Sequence, residues 1–442
     1  MTASTFRPSP PGARASILIA AQGKNLFQRL TDERIALCYD PLNAEPPDLV
    51  VFPCGQFRRF TEISADLPEP VRSHVRSGAA RVVFDASDEG LPHAPEITAA
   101  LHAFLERLGA PSDRAVYITQ DRGYAGDYLA HCADVGLQAP MTVLNYDYWI
   151  KRLLCRYEFS GPRFFRRRRA AFRARSPSRP RRFLSLNRSP RPAKLVFLLR
   201  LLKDGLWDEG YVSFGGFEQL ERMKLGHIHR LIKTLRGLDG FADLVPELSP
   251  YLERLAALGA VEFDIALEAP QKAYDTQTGD SALAEYHQSW FSAVTESEMA
   301  DRPMRVTEKV FKPLLNFHPF VVFGNPGSLA TLRRLGFETF PEMFDEAYDE
   351  VDAPRARFDM AYAQLTRLCR MDEAELAALA ARVAPKIEHN ARVALTELPI
   401  RYRDEFDRSL IDRLLPSLAA AEVPASQAPD RAHGRPDRDE AR

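Results

Sequence analysis

Residues 14–147 alternate between short runs of β-branched or aromatic residues and segments with helical spacing. The runs lie at 14–21 (RASILIAA), 48–54 (DLVVFPC), 80–87 (ARVVFDAS), 114–120 (RAVYITQ) and 141–147 (MTVLNYD). Apolar runs of this length, separated by helical crossovers, are typical of parallel strands. The pattern predicts a Rossmann-like α/β domain.

The segment between the third and fourth runs shows the helical spacing most clearly. Ile97, Leu101, Leu105 and Leu108 recur at helical intervals, and Gly109 follows as a C-terminal cap. Residues 14–147 contain no G-x-G-x-x-G sequence. The pattern therefore gives no support for a dinucleotide site of the NAD type.

The strand-like pattern begins again at 181–187 (RRFLSLN), which indicates a second domain of the same class. Ser328 is predicted to cap the helix after the last strand-like run and Gly336 to end it. An amphipathic helix is predicted at 372–398, kinked or restarted at Pro385. The other strand-like runs of this half lie at 211–216, 261–267, 289–295 and 319–324.

Positive charge is concentrated between the two α/β patterns. Residues 163–182 contain ten arginines and no acid, whereas the rest of the chain carries 49 basic and 60 acidic side chains. We interpret the segment first as a solvated linker. Attraction of a polyanion or an anionic membrane is the alternative, with Phe164, Phe165 and Phe172 anchoring part of it as an amphipathic helix.

Other classes of protein are disfavoured by the sequence. The N-terminus lacks the apolar core of a signal peptide, and no apolar run approaches the roughly 20 residues that span a bilayer. The five cysteines include no C-x-x-C pair. The acidic residues at 345–350 are interpreted as a solvated helix face or as hydrogen-bonding groups beside the cleft. We expect a cytoplasmic protein with no metal and no other cofactor.

The stretch VTEKVFKPL (306–314) suggests an anion site. Thr307 is predicted to be a helix N-cap, which places Glu308 and Lys309 in the first turn. The free N–H groups of that turn and the lysine attract phosphate, while the carboxylate accepts hydrogen bonds from ribose hydroxyls. The alternative is that Glu308 only complements the helix dipole and Lys309 points to water.

Four stretches together resemble the donor-site region of α1,3-fucosyltransferases and related bacterial sugar transferases of GT-B type. In that family a strand ending in Glu-Asn-Ser precedes a Thr-Glu-Lys helix and a further strand; here Thr295-Glu296-Ser297 replaces Glu-Asn-Ser. The resemblance implies two Rossmann-like α/β domains facing a cleft. The stretches are FSAVTES (291–297), VTEKVFKPL (306–314), HPFVVFG (318–324) and LRRLGFETFPEMFDEAYDE (332–350).

The resemblance also implies roles for individual residues. Glu308 would bind the nucleotide ribose and Lys309 the diphosphate. Arg191 best matches a diphosphate-binding arginine that precedes the first helix of this domain, and Arg188 is the competing choice. The further donor-side candidates are Asn187, Glu296 and Thr307.

The resemblance to GT-B enzymes also implies a catalytic base from the first domain, and the loop after VVFDA is where an α/β sheet would present it. Glu89 is the first choice and Asp88 the second. The alternative is that both residues only cap the helix that starts near Pro95.

These interpretations predict an inverting, metal-independent glycosyltransferase of polysaccharide or glycoconjugate synthesis. It would move a sugar from a nucleotide-diphosphate sugar to a saccharide or other hydroxyl acceptor, and nucleic acid is the less favoured partner. The alternative is a non-catalytic nucleotide- or polyanion-binding protein on the same scaffold. The predicted divisions are a flexible N-terminus (1–13), an acceptor-side domain (14–160), an Arg-rich linker (161–180), a donor-binding domain (181–420) and a disordered tail (421–442).

Overall fold

The computed structural model describes most of the chain between residues 14 and 416. Arg188, most of the strand predicted at 261–267, and the predicted terminal segments 1–13 and 421–442 lie outside the described residues. In the part described, no helix is both long and apolar enough to cross a membrane. The described ranges are 14–21, 25–30, 32–40, 46–54, 66–187, 191–216, 228–261 and 283–416.

The first domain is built on a parallel sheet in the order β2-β1-β3-β4-β5-β6. Its central strands are buried because helices cover both faces, which explains why they read as apolar runs. Only β2 was not predicted from the sequence. The strands are β1 Ala15–Ile19, β2 Ile35–Cys38, β3 Leu49–Pro53, β4 Arg81–Ala86, β5 Val116–Thr119 and β6 Thr142–Asn145.

Four α-helices lie in the described residues of this first part of the chain. The second of them ends, as predicted, at Gly109, which adopts φ 70° and so avoids the strain that a side chain would bring to a left-handed cap. The helices are α1 Glu69–Arg76, α2 Pro95–Leu108, α3 Tyr124–Asp134 and α4 Tyr148–Leu154.

The second domain has a parallel sheet in the order β10-β9-β7-β8. Two Rossmann-like α/β domains are therefore present, and the loops at the carboxyl ends of their strands face each other, which confirms the predicted fold class. The strands are β7 Arg181–Ser185, β8 Gly210–Val212, β9 Ser289–Thr295 and β10 Phe320–Phe323. The helices are α5 Gly161–Arg173, α6 Pro192–Lys203, α7 Ile228–Arg236, α8 Val245–Leu248, α9 Leu252–Ala257, α10 Leu283–His287, α11 Glu308–Leu315, α12 Ser328–Arg334, α13 Pro354–Arg370, α14 Glu373–Arg392, α15 Leu398–Arg401 and α16 Arg408–Leu414.

The Arg-rich segment contributes α5, whose inner face packs on the second domain. Phe165 and Phe172 contact Phe317, with ring centroids 5.7 and 5.4 Å away. Arg169 Nε and Arg173 Nε each donate to Glu388 at 2.7 Å. A substantial part of this segment is thus an ordered amphipathic helix.

The prediction that Ser328 caps α12 was wrong. The hydroxyl of Ser328 does not cap α12; it donates to Asn325 O at 2.7 Å. The cap comes instead from Asp349, whose carboxylate accepts the N–H groups of Leu329 and Ala330 at 2.9 and 3.0 Å. Helix α14 continues through Pro385 without a restart.

The C-terminal part of the described chain returns to the first domain. Asp412 pairs with Arg34 at 2.8 Å, and Arg81 donates to the carbonyls of Arg413 and Leu414 at 2.9 Å. Two short π-helical segments, at 393–397 and 402–407, lie along this return path. The chain therefore passes between the domains at two places, before α5 and after α14.

Candidate functional site

The centre of the second sheet is where the chain changes direction. The order β10-β9-β7-β8 places β7 beside β9, while their successors β8 and β10 lie on opposite sides. Ligands of parallel α/β sheets bind at such a switch point, outside the carboxyl ends of the strands. The connections β7–α6 and β9–α11 both begin there, and the described donor-site candidates lie on them or in the first turn of α11.

Thr307 is the N-cap of α11, as predicted. Its backbone is extended, and its hydroxyl accepts the N–H of Lys309 at 3.3 Å. The same hydroxyl donates to Glu296 Oε2, and Thr307 N donates to Glu296 Oε1 at 3.3 Å. Glu296 is buried, and both of its oxygens serve to orient the cap. The structure thus gives Glu296 a positioning role.

Removing this cap should loosen the site. In Thr307→Val, α11 loses a cap worth about 1 kcal/mol and the buried Glu296 loses a donor. We expect a lower melting temperature and several-fold weaker binding of a nucleoside diphosphate, measured by thermal denaturation and calorimetry. Thr307→Ser keeps the hydroxyl and should behave like the wild type. Equal melting of the Val variant and the wild type would contradict the role of the hydroxyl.

Glu308 and Lys309 form a partly buried pair at the start of α11. Lys309 Nζ lies 3.1 Å from Glu308 Oε1 and 3.2 Å from Thr307 Oγ1, and the two charged side chains are 22% and 15% exposed. Burial raises the pKa of Glu308, but Lys309 and Lys312 outweigh it and bring the pKa to about 2. Burial lowers the pKa of Lys309, and Glu308 and Glu296 more than compensate. Both groups are therefore charged at neutral pH.

Sequence reasoning missed Lys194, which lies in the first turn of α6. It is only 3% exposed, and burial, reinforced by Lys309, lowers its pKa to about 7. Glu296 and Glu308 act in the opposite direction. A signal was present in PAKLVFLLRLL, where a lysine interrupts an otherwise apolar start of a helix. Such a lysine is usually assumed to extend to the surface.

Asn187 serves the scaffold of the site. Its N–H donates to Ser213 Oγ at 2.7 Å and its side-chain amide to Ser185 Oγ at 2.9 Å. Its Oδ1 accepts the hydroxyl of Thr295 at 2.5 Å. Because both ends of the buried side-chain amide are occupied, Asn187 holds the ends of β7 and β9 together.

Two arginines flank the helix starts. Arg191 occupies the N-cap position of α6 and is half exposed, with its guanidinium 3.2 Å from Glu298. The other oxygen of Glu298 lies 2.7 Å from the buried Arg305. Glu298 thus joins a cation from each of the two connections.

The loop that carries Glu89 and Asp88 lies against this group. A Cβ on Gly90 would be 3.0 Å from Arg305 Nη1, so the loop and the second domain are in contact. Glu89 is partly exposed, and among the described residues its carboxylate has no hydrogen bond or ion pair. Asp88 is buried, and its carbonyl accepts the indole N–H of Trp149. Of the two, Glu89 is the more accessible.

Neither acid caps the following helix. The N-cap position of α2 is Ala94, without a side-chain hydrogen bond to the helix. The interpretation of Glu89 and Asp88 as helix caps is therefore wrong. The reason is local, since residues 90–94 separate the two acids from the helix start and Ala94 occupies the N-cap position.

A second contact closes the cleft beside this loop. Asp121 Oδ1 accepts Met304 N at 2.8 Å, and Arg122 N donates to Met304 O at 3.0 Å. Arg302 pairs with Asp127 at 3.1 Å. The β9–α11 connection therefore contacts the first domain at the end of β5.

Two of the acidic residues at 345–350 have structural partners. Glu346 accepts from Arg333, Thr339 and the N–H of Phe340, while Asp349 caps α12. Over the described ranges, no three His, Cys, Asp or Glu side chains are grouped so as to hold a metal ion.

The chain has distant likenesses among solved structures, whereas no protein-family model and no curated protein matches it. α,α-Trehalose-6-phosphate synthase from Burkholderia multivorans gives a TM-score of 0.44 at 15% identity, covering 87% of this chain and 73% of that one. An α1,3-fucosyltransferase gives 0.35 at 13% identity, covering 85% and 84%. At these values the proposed function rests on the geometry of this chain alone.

Proposed function

We propose that the protein is a glycosyltransferase that moves a sugar from a nucleotide-diphosphate sugar to a hydroxyl acceptor. The observation that carries the proposal is the Glu308–Lys309 pair, fixed by its cap at the switch point of the second sheet. A neighbouring carboxylate and ammonium match the two chemical parts of such a donor, its ribose hydroxyls and its diphosphate.

Each donor contact has a natural position at the two helix starts. The ammonium of Lys309 and the N–H groups of α11 face phosphate oxygens, and Glu308 accepts from the ribose. Arg191, at the start of α6, adds a guanidinium that can form paired hydrogen bonds with phosphate. These cations stabilise the negative charge of the leaving diphosphate, so the proposed reaction is metal-independent.

The first domain supplies the base in this proposal. The acceptor oxygen attacks the anomeric carbon as the bond from that carbon to the diphosphate breaks. Glu89 takes the hydroxyl proton, and the nucleoside diphosphate leaves with the electron pair. A single displacement of this kind inverts the anomeric centre. Asp88 is also a candidate because it lies on the same loop as Glu89. It is the second choice because it is buried.

The proposal is tested by screening GDP, UDP, CMP and dTDP for thermal stabilisation, followed by assays of transfer and hydrolysis with the matching nucleotide sugars. A ligand at 100 times its dissociation constant adds about 2.7 kcal/mol to the free energy of unfolding. We expect one nucleoside diphosphate to stabilise the protein and its sugar conjugate to be turned over. Binding with neither transfer nor hydrolysis would identify a non-catalytic nucleotide-binding protein, and no binding would refute both.

The acceptor pathway is proposed to be polysaccharide or glycoconjugate synthesis at the cytoplasmic face of a membrane. The outer face of α5 presents Arg163, Arg166 and Arg167 to solvent, and Phe159 beside it is 87% exposed. An exposed aromatic ring next to a row of arginines suits an anionic lipid surface.

Replacing Arg163, Arg166 and Arg167 with Gln should weaken binding to vesicles that contain anionic lipid. Each arginine near such a surface contributes about 1 kcal/mol, so the expected loss is roughly 100-fold, and it should shrink as salt is added. Vesicle sedimentation measures it. The matched control replaces Arg169 and Arg173, which pair with Glu388. Equal losses in the two variants would contradict a surface specific to the outer face.

A further inference from the structure

Lys194 is buried without the partners that a buried lysine normally has. Lys151, in the same chain, shows the usual arrangement, since its ammonium lies 3.1 Å from Glu158 and 2.8 Å from Asp407. For Lys194, by contrast, the described residues provide no hydrogen bond and no ion pair at contact distance. An uncompensated buried charge is costly, so this position calls for an explanation.

The charges around Lys194 belong to the proposed donor site. Lys309, Lys312 and Glu308 come from α11, and Glu296 comes from the end of β9. Both carboxylates are already engaged, one with the helix cap and the other with Lys309. A protonated Lys194 therefore adds a third lysine charge to a site that holds two acids.

We propose that Lys194 is a further cation for the diphosphate of the donor, and that the site takes up a proton at Lys194 when the diphosphate binds. The inference rests on the proposed function, because it assigns the anion to the same two helix starts. With Lys194 protonated, the three lysines and two acids leave a net positive charge, which a bound diphosphate neutralises. In the free protein the same lysine is easily deprotonated, and this limits the cost of burying it.

The direction of the pH dependence follows from linkage. Burial and Lys309 lower the pKa of Lys194 to about 7, and a bound anion raises it again. Below about pH 6 the lysine is already charged, so binding takes up no proton there. Above about pH 7 the affinity for the anion should fall by about tenfold per pH unit.

Calorimetry with inorganic pyrophosphate at pH 6 and pH 8, in two buffers of different ionisation enthalpy, measures this uptake. We expect the wild type to take up roughly one proton at pH 8 and almost none at pH 6. Lys194→Arg, which stays charged, should bind without this uptake. Lys194→Met should bind at least tenfold more weakly at pH 6. The protonation of pyrophosphate itself is common to all variants and is subtracted by comparing them.

The outcomes separate the two proposals. Suppose that pyrophosphate binds and that Lys309→Ala weakens this binding. If Lys194→Met then takes up as many protons on binding as the wild type does, only the role of Lys194 is overturned. If the wild type binds no pyrophosphate, or Lys309→Ala binds it normally, the phosphate site and the proposed function fail together.

Stability gives a second readout with the opposite sign. Because the folded pKa of Lys194 lies below its ordinary value of 10.5, the unfolded chain binds more protons between about pH 7 and 10.5. The wild type should therefore gain stability as pH rises through that window. Lys194→Met should melt at a higher temperature than the wild type at pH 6, and the difference should vanish above pH 10.5. A Met variant that melts lower at pH 6 would overturn the assignment of a buried, uncompensated charge.

Discussion

Glu89→Gln should lower kcat by about 10² to 10⁴-fold while leaving the affinity for the nucleotide donor almost unchanged. A general base acts on the acceptor proton in the transition state and makes no contact that the bound donor needs. The two roles are separable in this structure, because Glu89 lies on the first domain and the proposed donor contacts lie on the second. Initial-rate kinetics and calorimetry on the same preparation measure both quantities.

Asp88→Asn is the matched control for this loop. Its carboxyl group is buried, so the substitution should lower the melting temperature more than Glu89→Gln does, with a smaller effect on kcat. Thermal denaturation followed by circular dichroism shows how much of each variant is folded, and the kcat values of both variants are corrected for the unfolded fraction. Normal turnover by a folded Glu89→Gln enzyme would remove Glu89 from the mechanism, and a larger kinetic loss in Asp88→Asn would transfer the role to Asp88.

Lys309→Ala should weaken the binding of a nucleoside diphosphate by about 1.5 to 3 kcal/mol, or roughly 10- to 150-fold. The lysine contributes a charge-assisted hydrogen bond, and its loss also leaves the partly buried Glu308 without its ammonium partner. Titration with the diphosphate and the corresponding monophosphate should show that the mutation removes most of the advantage of the diphosphate.

Glu308→Gln separates the ribose contact from the phosphate contact. It should weaken the diphosphate and the monophosphate of the same nucleoside by similar factors, because both contain the ribose. Lys386→Ala is the control for a lost surface lysine, since Lys386 pairs with Glu342 at 2.7 Å in another part of the second domain. If Lys309→Ala and Glu308→Gln both bind the nucleotide as the wild type does, the pair has no role in binding and Glu308 only complements the helix dipole.

The charge state of this pair restricts the origin of any pH effect near neutrality. The pKa of Glu308 is about 2 and that of Lys309 lies above its ordinary value, so neither titrates between pH 6 and 8. The stabilising contribution of Glu308 is present above its ordinary pKa near 4.5 and is lost as pH falls towards 2. A change in donor affinity between pH 6 and 8 therefore points to Lys194.

Local patterns in the sequence were enough to predict the two α/β domains and the cap at Thr307. Buried parallel strands leave apolar runs, and a cap is fixed by residues that are neighbours in the chain. The capping of α12 by Asp349 could not be predicted in this way. Its carboxylate reaches the helix from twenty residues further along, and only the folded chain brings them together.

The sequence predicted the parts of the candidate site whose residues are neighbours in the chain. It did not predict the parts that folding brings together from separate segments. Glu308 and Lys309 are adjacent, so their position at a helix start could be inferred. Glu296 and Asn187 form hydrogen bonds between separate strands and connections, and no local sequence pattern indicates this supporting role. The lowered pKa of Lys194 results from burial by other elements, and no local sequence pattern indicates that burial.

The two passages of the chain between the domains restrict how the cleft can open. A single covalent link would let one domain swing in any direction, but two links at separate points leave mainly rotation about the line that joins them. The π-helical segments at 393–397 and 402–407 lie on one of these links, and buried Lys151, paired with Asp407, ties that link to the other. Rotation about that line would separate the loop that carries Glu89 from Arg305.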